Sequence, residues 1–446
     1  MTLTRRQLLA ATGAVALGLT RPARAKSPKG VVVVGAGLAG LACADALERA
    51  GFRVTVFEAR DRVGGRVLTI REPFAGGQYA EAGGEFIAAG DTTLRSLATS
   101  HGLELEPVAA ATARGVVYRR GRRLPWARFA TPRVQADVER FYSRARSLRG
   151  AALDARSAAW LIRDLRLTDR ARFLVEHELR LTYGVEPESL SLLFLTQQTK
   201  LARVRGGAFR IRGGNDRLPL ALAARLDVRL ETPVQRIEQR ATGVTVTADG
   251  DELDADWCVL AVPVPLLGSI EFEPALPPTL ASAIVRLRYG RAVKTLLQYE
   301  QSFWLAERDS GAILTDLTFD ATWDGTGGRR GAKGVLVADT GGRNGLLYGT
   351  MGRRTRTLLV ADEVDEAYPG SRALYEVGDT VSWYSEGWSR GSAVAYAPAQ
   401  VTRFQAAVRA PVGRLQFAGE HTDAPAGTMD GALRSGGRVA AAIARR

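Results

Sequence analysis

The chain has 446 residues, 46% of them hydrophobic and 24% charged, with a formal net charge of +14, two cysteines and three histidines. Two cysteines do not make a disulfide framework, and His101, His177 and His421 are too far apart for metal-ligand spacing. The excess arginines are scattered rather than massed among aromatics, which argues against nucleic-acid binding.

Thr4-Arg5-Arg6-Gln7-Leu8-Leu9 opens a short apolar run that ends near Leu19 and is followed by Ala23-Arg24-Ala25. A charged start, a short apolar middle and a small-x-small end describe an export signal over residues 1–25. The arginine pair points to the twin-arginine route and a periplasmic or secreted product, with an ordinary Sec signal or an uncleaved N-terminal anchor as the alternatives. No later apolar run approaches the length of a membrane span, so no stable span is expected after signal removal.

The most informative stretch is Val31 to Arg66, VVVVGAGLAGLACADALERAGFRVTVFEARDRVGGR. Val31–Val34 suit a fully buried strand that runs into Gly35-Ala36-Gly37-Leu38-Ala39-Gly40. Gly35 permits the tight turn, Gly37 lets backbone amides approach a pyrophosphate, and Gly40 allows close packing of helix on strand. A helix from Leu38 to about Ala50 aims its positive end at that phosphate. Arg53–Phe57 is the next parallel strand, and Glu58 follows where an acid can accept hydrogen bonds from a ribose. Gly64-Gly65-Arg66 adds a second glycine pair with an arginine able to reach a phosphate.

Glu81-Ala82-Gly83-Gly84-Glu85-Phe86-Ile87 predicts a tight turn close to the cofactor. From about Thr92 to Thr199 apolar residues recur at helical spacing, which predicts a largely helical insertion. Strand patterns return at Val228–Leu230, Thr232–Glu238, Val244–Thr247 (with a turn at Asp249-Gly250) and Trp257–Val262. Leu415–Glu420 predicts a short strand, and Met429–Ala444 a helix containing Gly436-Gly437. Gly325–Gly331 reads as a mobile loop. Cys43 and Cys258 lie in apolar stretches and read as core residues. The resulting expectation is an α/β chain of two discontinuous domains: a dinucleotide-binding domain over 30–90, 205–265 and 396–446, and a substrate-binding domain over 91–204 and 266–395. No Ser–His–Asp set has sequence support, so redox chemistry through a bound cofactor remains.

Four blocks together resemble the flavin-containing amine oxidase family of monoamine, polyamine and L-amino-acid oxidases. They are the Val31–Arg66 opening, the EAGGEFI run, WCVLAVPVPLLGSIEFEPALP and LQFAGEHTDAPAGTMDGALRSGGRVA. The resemblance implies a Rossmann-like FAD-binding domain of the glutathione-reductase type with an interleaved α+β substrate domain. It implies FAD contacts at Gly35, Gly37, Gly40, Glu58, Arg60, Gly65, Arg66, Gly83, Gly84, Val234, Trp383, Gly419, Glu420, Thr428 and Met429. In the family a lysine at the place of Lys294 holds a water beside flavin N5 and assists reaction with oxygen, so Lys294 is the catalytic candidate. Phe86, Trp388, Ala393 and Tyr396 are the candidate substrate-pocket residues.

Two departures from the family pattern stand out. Ser392 occupies the place of the cysteine that carries covalent FAD in monoamine oxidases, and a hydroxyl cannot form that thioether, so FAD is expected to be non-covalent. Ala393 and Thr428 occupy the places of two aromatic residues that cage the flavin face. The expected activity is oxidation of a primary or secondary amine to an imine by hydride transfer, with O2 or an electron carrier as acceptor and hydrogen peroxide as product when O2 is used. A homodimer is a candidate assembly. The alternatives are an L-amino-acid oxidase, a desaturase or dehydrogenase of the same fold, and a non-catalytic FAD-binding partner protein.

Overall fold

Val31–Val34 lie at the centre of a five-stranded parallel sheet in the computed structural model, which describes residues 29–108, 115–201, 207–307, 309–327, 329 and 331–446. Across the sheet the strands run Asp227–Arg229, Arg53–Phe57, Gly30–Val34, Trp257–Leu260 and Leu415–Phe417. Every residue of the Gly30–Val34 strand is buried, which suits the unbroken β-branched run of a strand covered on both faces. The chain leaves this strand to pair first on one side, with Arg53–Phe57, and much later on the other, with Trp257–Leu260. That reversal opens a crevice at the carboxyl ends of the strands.

The helix Leu38–Arg49 covers one face of this sheet, and Met429–Ala444 packs along it. Contact between the two is close: a Cβ on Gly436 would stand 2.3 Å from the Ala39 carbonyl oxygen, whereas one on the exposed Gly437 would meet nothing. Cys43 and Cys258 are both free and buried in this region, and burial pushes each thiol up to about 12.

A seven-stranded sheet forms the second large layer. Its order is Tyr375–Ser382, Val293–Tyr299, Gly334–Thr340, Ala321–Asp324, Ile313–Thr315, Val116–Arg119 and Arg122–Pro125. Every residue of Val293–Tyr299 and of Gly334–Thr340 is buried. A four-stranded sheet, Asp251–Ala255, Val244–Ala248, Val234–Gln239 and Glu271–Glu273, carries the expected Asp249-Gly250 turn. Both turn residues have positive φ (50° and 83°), as a two-residue hairpin loop requires.

The region expected to be a helical insertion is mixed. Pro132–Ser147, Ala158–Asp164, Asp169–Tyr183 and Leu192–Leu201 are helices, but Leu105–Val108 pairs with Ala208–Ile211 as a strand. Val116–Arg119 and Arg122–Pro125 form a hairpin whose turn, Arg120-Gly121, has φ of 52° and 68°. Strand pairing overrode the helical reading there because Val116 and Val117 find a partner in Ile313–Thr315, nearly 200 residues away in the chain. The helix Thr92–Ser100 packs on Met429–Ala444 and buries Leu94 and Ala98 in the core around the parallel sheet, not in the inserted region. The expectations placed on residues 1–25, and on positions 328 and 330 of the Gly325–Gly331 loop, lie outside the described residues.

The neighbouring glycines of the last helix should respond in opposite directions. Gly436→Ala is expected to lower stability by about 1–3 kcal/mol through overpacking against Ala39. Gly437→Ala is expected to raise it by up to about 1 kcal/mol through helix propensity. Thermal or urea unfolding of the two variants beside the parent checks both signs.

Candidate active site

The carboxyl ends of the parallel strands open into one cavity that continues between the two large sheets and encloses about 1600 Å³ not filled by protein atoms, including its open mouth. At one end its wall is Glu58, Thr232, Pro233 and Val234; in the middle, Gly35, Gly37, Leu38, Gly65 and Arg66; at the far end, Gly83, Gly84, Lys294, Asp339, Trp383 and Met429.

The middle of the cavity is built by glycine. Gly35 has φ +101°, and a Cβ on Gly40 would lie 1.9 Å from the Gly35 carbonyl oxygen, so the helix starts hard against the turn. A Cβ on Gly37 would meet nothing within 4 Å; it would project into the cavity that the missing side chain leaves open. Gly37 is the N-cap of Leu38–Arg49, no side chain caps it, and no acid lies in the first turn. Uncapped amides at a helix start, open to a cavity, are a ready anion site. A pyrophosphate-bearing dinucleotide such as FAD therefore fits the residues present.

Glu58 is buried with each carboxylate oxygen already accepting one backbone N–H, from Ala36 (2.8 Å) and Arg60 (3.0 Å). A carboxylate oxygen has two lone pairs, so a ribose hydroxyl can still be accepted. At the far end Thr428 caps Met429–Ala444, its side chain accepting from Gly431 N (2.9 Å). Gly84 sits so close to this helix start that a Cβ there would lie 2.8 Å from Met429 Sδ. Ala393 and Thr428 both line the cavity, so no aromatic ring projects from either place.

The cations of the wall are all engaged within the protein. Arg60 pairs with Glu386 and donates to Ser389 Oγ (2.8 Å). Arg66 donates to Glu420 Oε1 (2.9 Å) and to the Ser392 carbonyl (2.5 Å). Lys294, buried in the middle of its strand, gives its Nζ protons to Glu85 Oε2 (2.5 Å), the Gly83 carbonyl (3.0 Å) and the Glu81 carbonyl (3.3 Å). Three donors meet three acceptors, so the lysine is anchored and does not snorkel to solvent.

Glu85 in turn accepts from Arg210 and from Trp323 Nε1 (2.8 Å). Burial alone would push this carboxyl up. The charges of Lys294 and Arg210, with the hydrogen bonds from Lys294 and Trp323, more than offset burial and hold it below the ordinary carboxylate range.

Of the residues predicted from sequence, Gly35, Gly37, Glu58, Arg60, Gly65, Arg66, Gly83, Gly84, Val234, Lys294, Trp383, Trp388, Ala393, Gly419, Glu420, Thr428 and Met429 come together on this wall. Three do not. Gly40 is turned into the helix–turn contact. Phe86 is 44% exposed and packs against Trp323 outside the cavity, under Arg210. Tyr396 is fully buried in the core against Phe194. Glu85 turns inward to Lys294, while the Phe86 ring turns out against Trp323. Tyr396 lies past the end of the loop that brings Ser392 and Ala393 to the wall.

Sequence reasoning missed Glu85 as the counter-ion of Lys294 and missed Asp339, Leu181 and Thr182 as wall residues. A lysine within an apolar strand signals that some acid must pair with it, but Glu85 lies 209 positions away and nothing in the sequence singles it out. Asp339 carried no signal either, because only strand register brings it opposite Lys294.

Comparison with known proteins agrees with this geometry. Residues 38–444 match the model of the family described as flavin containing amine oxidoreductase. The flavin-containing monoamine oxidase homologue AofH of Mycobacterium tuberculosis is 33% identical over 452 residues, covering 93% of this chain and 96% of AofH. An L-amino acid dehydrogenase of Synechocystis is 28% identical over 447 residues, covering 92% of this chain and 94% of its own. The structure of cyclohexylamine oxidase from Brevibacterium oxydans superposes with a TM-score of 0.84 at 28% identity, covering 94% of this chain and 99% of the other. The chain belongs to the family of FAD-containing amine oxidoreductases.

Proposed function

We propose that the protein oxidises primary or secondary amines that carry no carboxylate beside the nitrogen, using non-covalent FAD and O2. The observation that carries this reading is the pairing of every cation on the described cavity wall: Arg60 with Glu386, Arg66 with Glu420, and Lys294 with Glu85. Relatives act on amines and on amino acids alike, so the choice falls to the charge of the wall. A substrate carboxylate entering here would find no free cation, and a desolvated charge without a partner is strongly disfavoured.

Bound FAD supplies the two-electron acceptor for the carbon–nitrogen bond, and O2 then takes the electrons to give hydrogen peroxide. The chain's own part is to bind, orient and exclude water. The Gly35–Gly37 turn and the start of Leu38–Arg49 would hold the pyrophosphate, and Glu58 would hold a ribose. The start of Met429–Ala444, at the far end of the cavity, would offer its positive end to the cofactor. Ser392 has no thiol with which to bond the cofactor. Lys294, its charge balanced by Glu85, would serve the O2 step by holding a water in the wall rather than by net charge. The Lys294 proton on the Glu81 carbonyl, at 3.3 Å, is the one most easily lent to a water. The Arg5-Arg6 segment and Ala23-Arg24-Ala25 support export by the twin-arginine route to the periplasm or beyond.

Anaerobic mixing with a panel of amines and amino acids tests the substrate class. Amines should bleach the flavin, and the matching amino acids should do so about 100-fold more slowly or worse. Bleaching by amino acids alone would overturn the reading. Lys294→Met should slow reoxidation by O2 by about 100-fold while slowing reduction far less; equal reoxidation rates in variant and parent would remove Lys294 from that step.

Glu85→Gln should cost about 3–5 kcal/mol, because Lys294 and Arg210 then keep their buried charges without a carboxylate. The sign with pH follows from the depressed carboxyl of Glu85. Its contribution is present above the ordinary carboxylate range and fades as acid approaches the folded value. Urea midpoints between neutral and acidic pH should therefore fall more in the parent than in Glu85→Gln.

A further inference from the structure

Asp339 stands in the strand Gly334–Thr340 directly across from Lys294. Opposed residues of an antiparallel pair project from the same face, and both line the cavity. Asp339 is only 8% exposed, and its Oδ1 is buried with no hydrogen-bond partner. Lys294 does not supply one, because its three protons go to Glu85 and to the Glu81 and Gly83 carbonyls. Asp320, the next carboxylate in this region, is already satisfied by Arg180 Nε (2.7 Å) and Gly341 N (2.8 Å).

The cavity wall thus holds paired cations and one carboxylate oxygen waiting for a donor. A buried acceptor without a donor is unfavourable. Burial, with repulsion from Asp320 and Glu85 and against the pull of Lys294, raises the Asp339 carboxyl to about 7. A cation arriving from solvent relieves both penalties.

We infer that Asp339 is the subsite at which the substrate's ammonium group arrives: its carboxylate binds the cationic nitrogen and takes up its proton before the carbon–nitrogen bond is oxidised, so the enzyme selects positively charged amines over neutral compounds of the same shape. This rests on the amine reading above and adds the residue that enforces it. Asp339 would be a substrate-binding residue and need not take part in the electron transfer.

Choline and its neutral isostere 3,3-dimethylbutan-1-ol test the assignment without turnover. Their equilibrium binding to the FAD-loaded protein is read from the shift they cause in the flavin absorbance band. Choline should bind the parent more tightly than the alcohol. Asp339→Asn should weaken choline by about 30-fold or more and leave the alcohol within about twofold. Asp339→Glu should recover much of the loss.

Because choline is a cation at every pH, a pH dependence reports the protein alone. The groups that face Asp339 are Lys294, Glu85 and Asp320, the last held by Arg180. Choline binding to the parent should weaken as pH falls through about 7, as Asp339 takes a proton, and should stay flat in Asp339→Asn.

Equal weakening of choline and the alcohol would show a structural role only and overturn the inference. So would unchanged choline binding in Asp339→Asn, or no preference for choline in the parent. Amines that bleach the flavin alongside any of these results would leave the amine reading standing and remove Asp339 alone. Bleaching by amino acids only would remove the amine reading itself.

Discussion

A lysine ammonium buried between two layers is the constraint around which this site is arranged. Lys294 belongs to the second strand of the seven-stranded sheet, beside the edge strand Tyr375–Ser382, while its partners Glu81, Gly83 and Glu85 belong to the turn that follows the parallel-sheet motif. An unpaired charge in so dry a place would be prohibitive. Glu85 must therefore be ionised, and Arg210 and Trp323 stabilise that state. The ion pair and its backbone acceptors tie the segment that follows the parallel-sheet motif to the seven-stranded sheet.

Glycine provides the other half of the fit. Gly83 is pressed so close to the Arg66 carbonyl that a Cβ would lie 2.0 Å from it, and Gly84 makes room for Met429. The backbone that presents two carbonyls to Lys294 can therefore pass beneath the cavity without side chains of its own. Close backbone approach and a satisfied lysine are two consequences of one turn.

The electrostatics of the cavity follow from this pairing. Arg60, Arg66 and Lys294 each cancel against a protein carboxylate, while Glu58 and Glu420 are taken up by backbone N–H groups and arginine. What remains for a ligand is dipole and shape: helix starts for phosphate, a cage-free far end, and Asp339 as the carboxylate with an unengaged oxygen. Small side chains at Ala393 and Thr428 leave recognition to charge and to the rim, where Trp388 is 40% exposed.

The dinucleotide motif, both flanking strands, the closing helix and the family were legible in the residues. The interactions behind them are local: strand, turn and helix occupy consecutive positions, and the glycines are required by backbone geometry within a few residues. Lys294 was legible too, since a charge within an apolar strand demands a partner. Glu85, which supplies that partner, and Asp339, which faces it, were decided by tertiary structure, as were the strands at Val116–Pro125 and the placement of Phe86 and Tyr396 away from the cavity. Each of these depends on which distant segment pairs with which, and in what register. A shift of one residue turns a side chain to the opposite face of a sheet, and nothing local in the sequence records that choice.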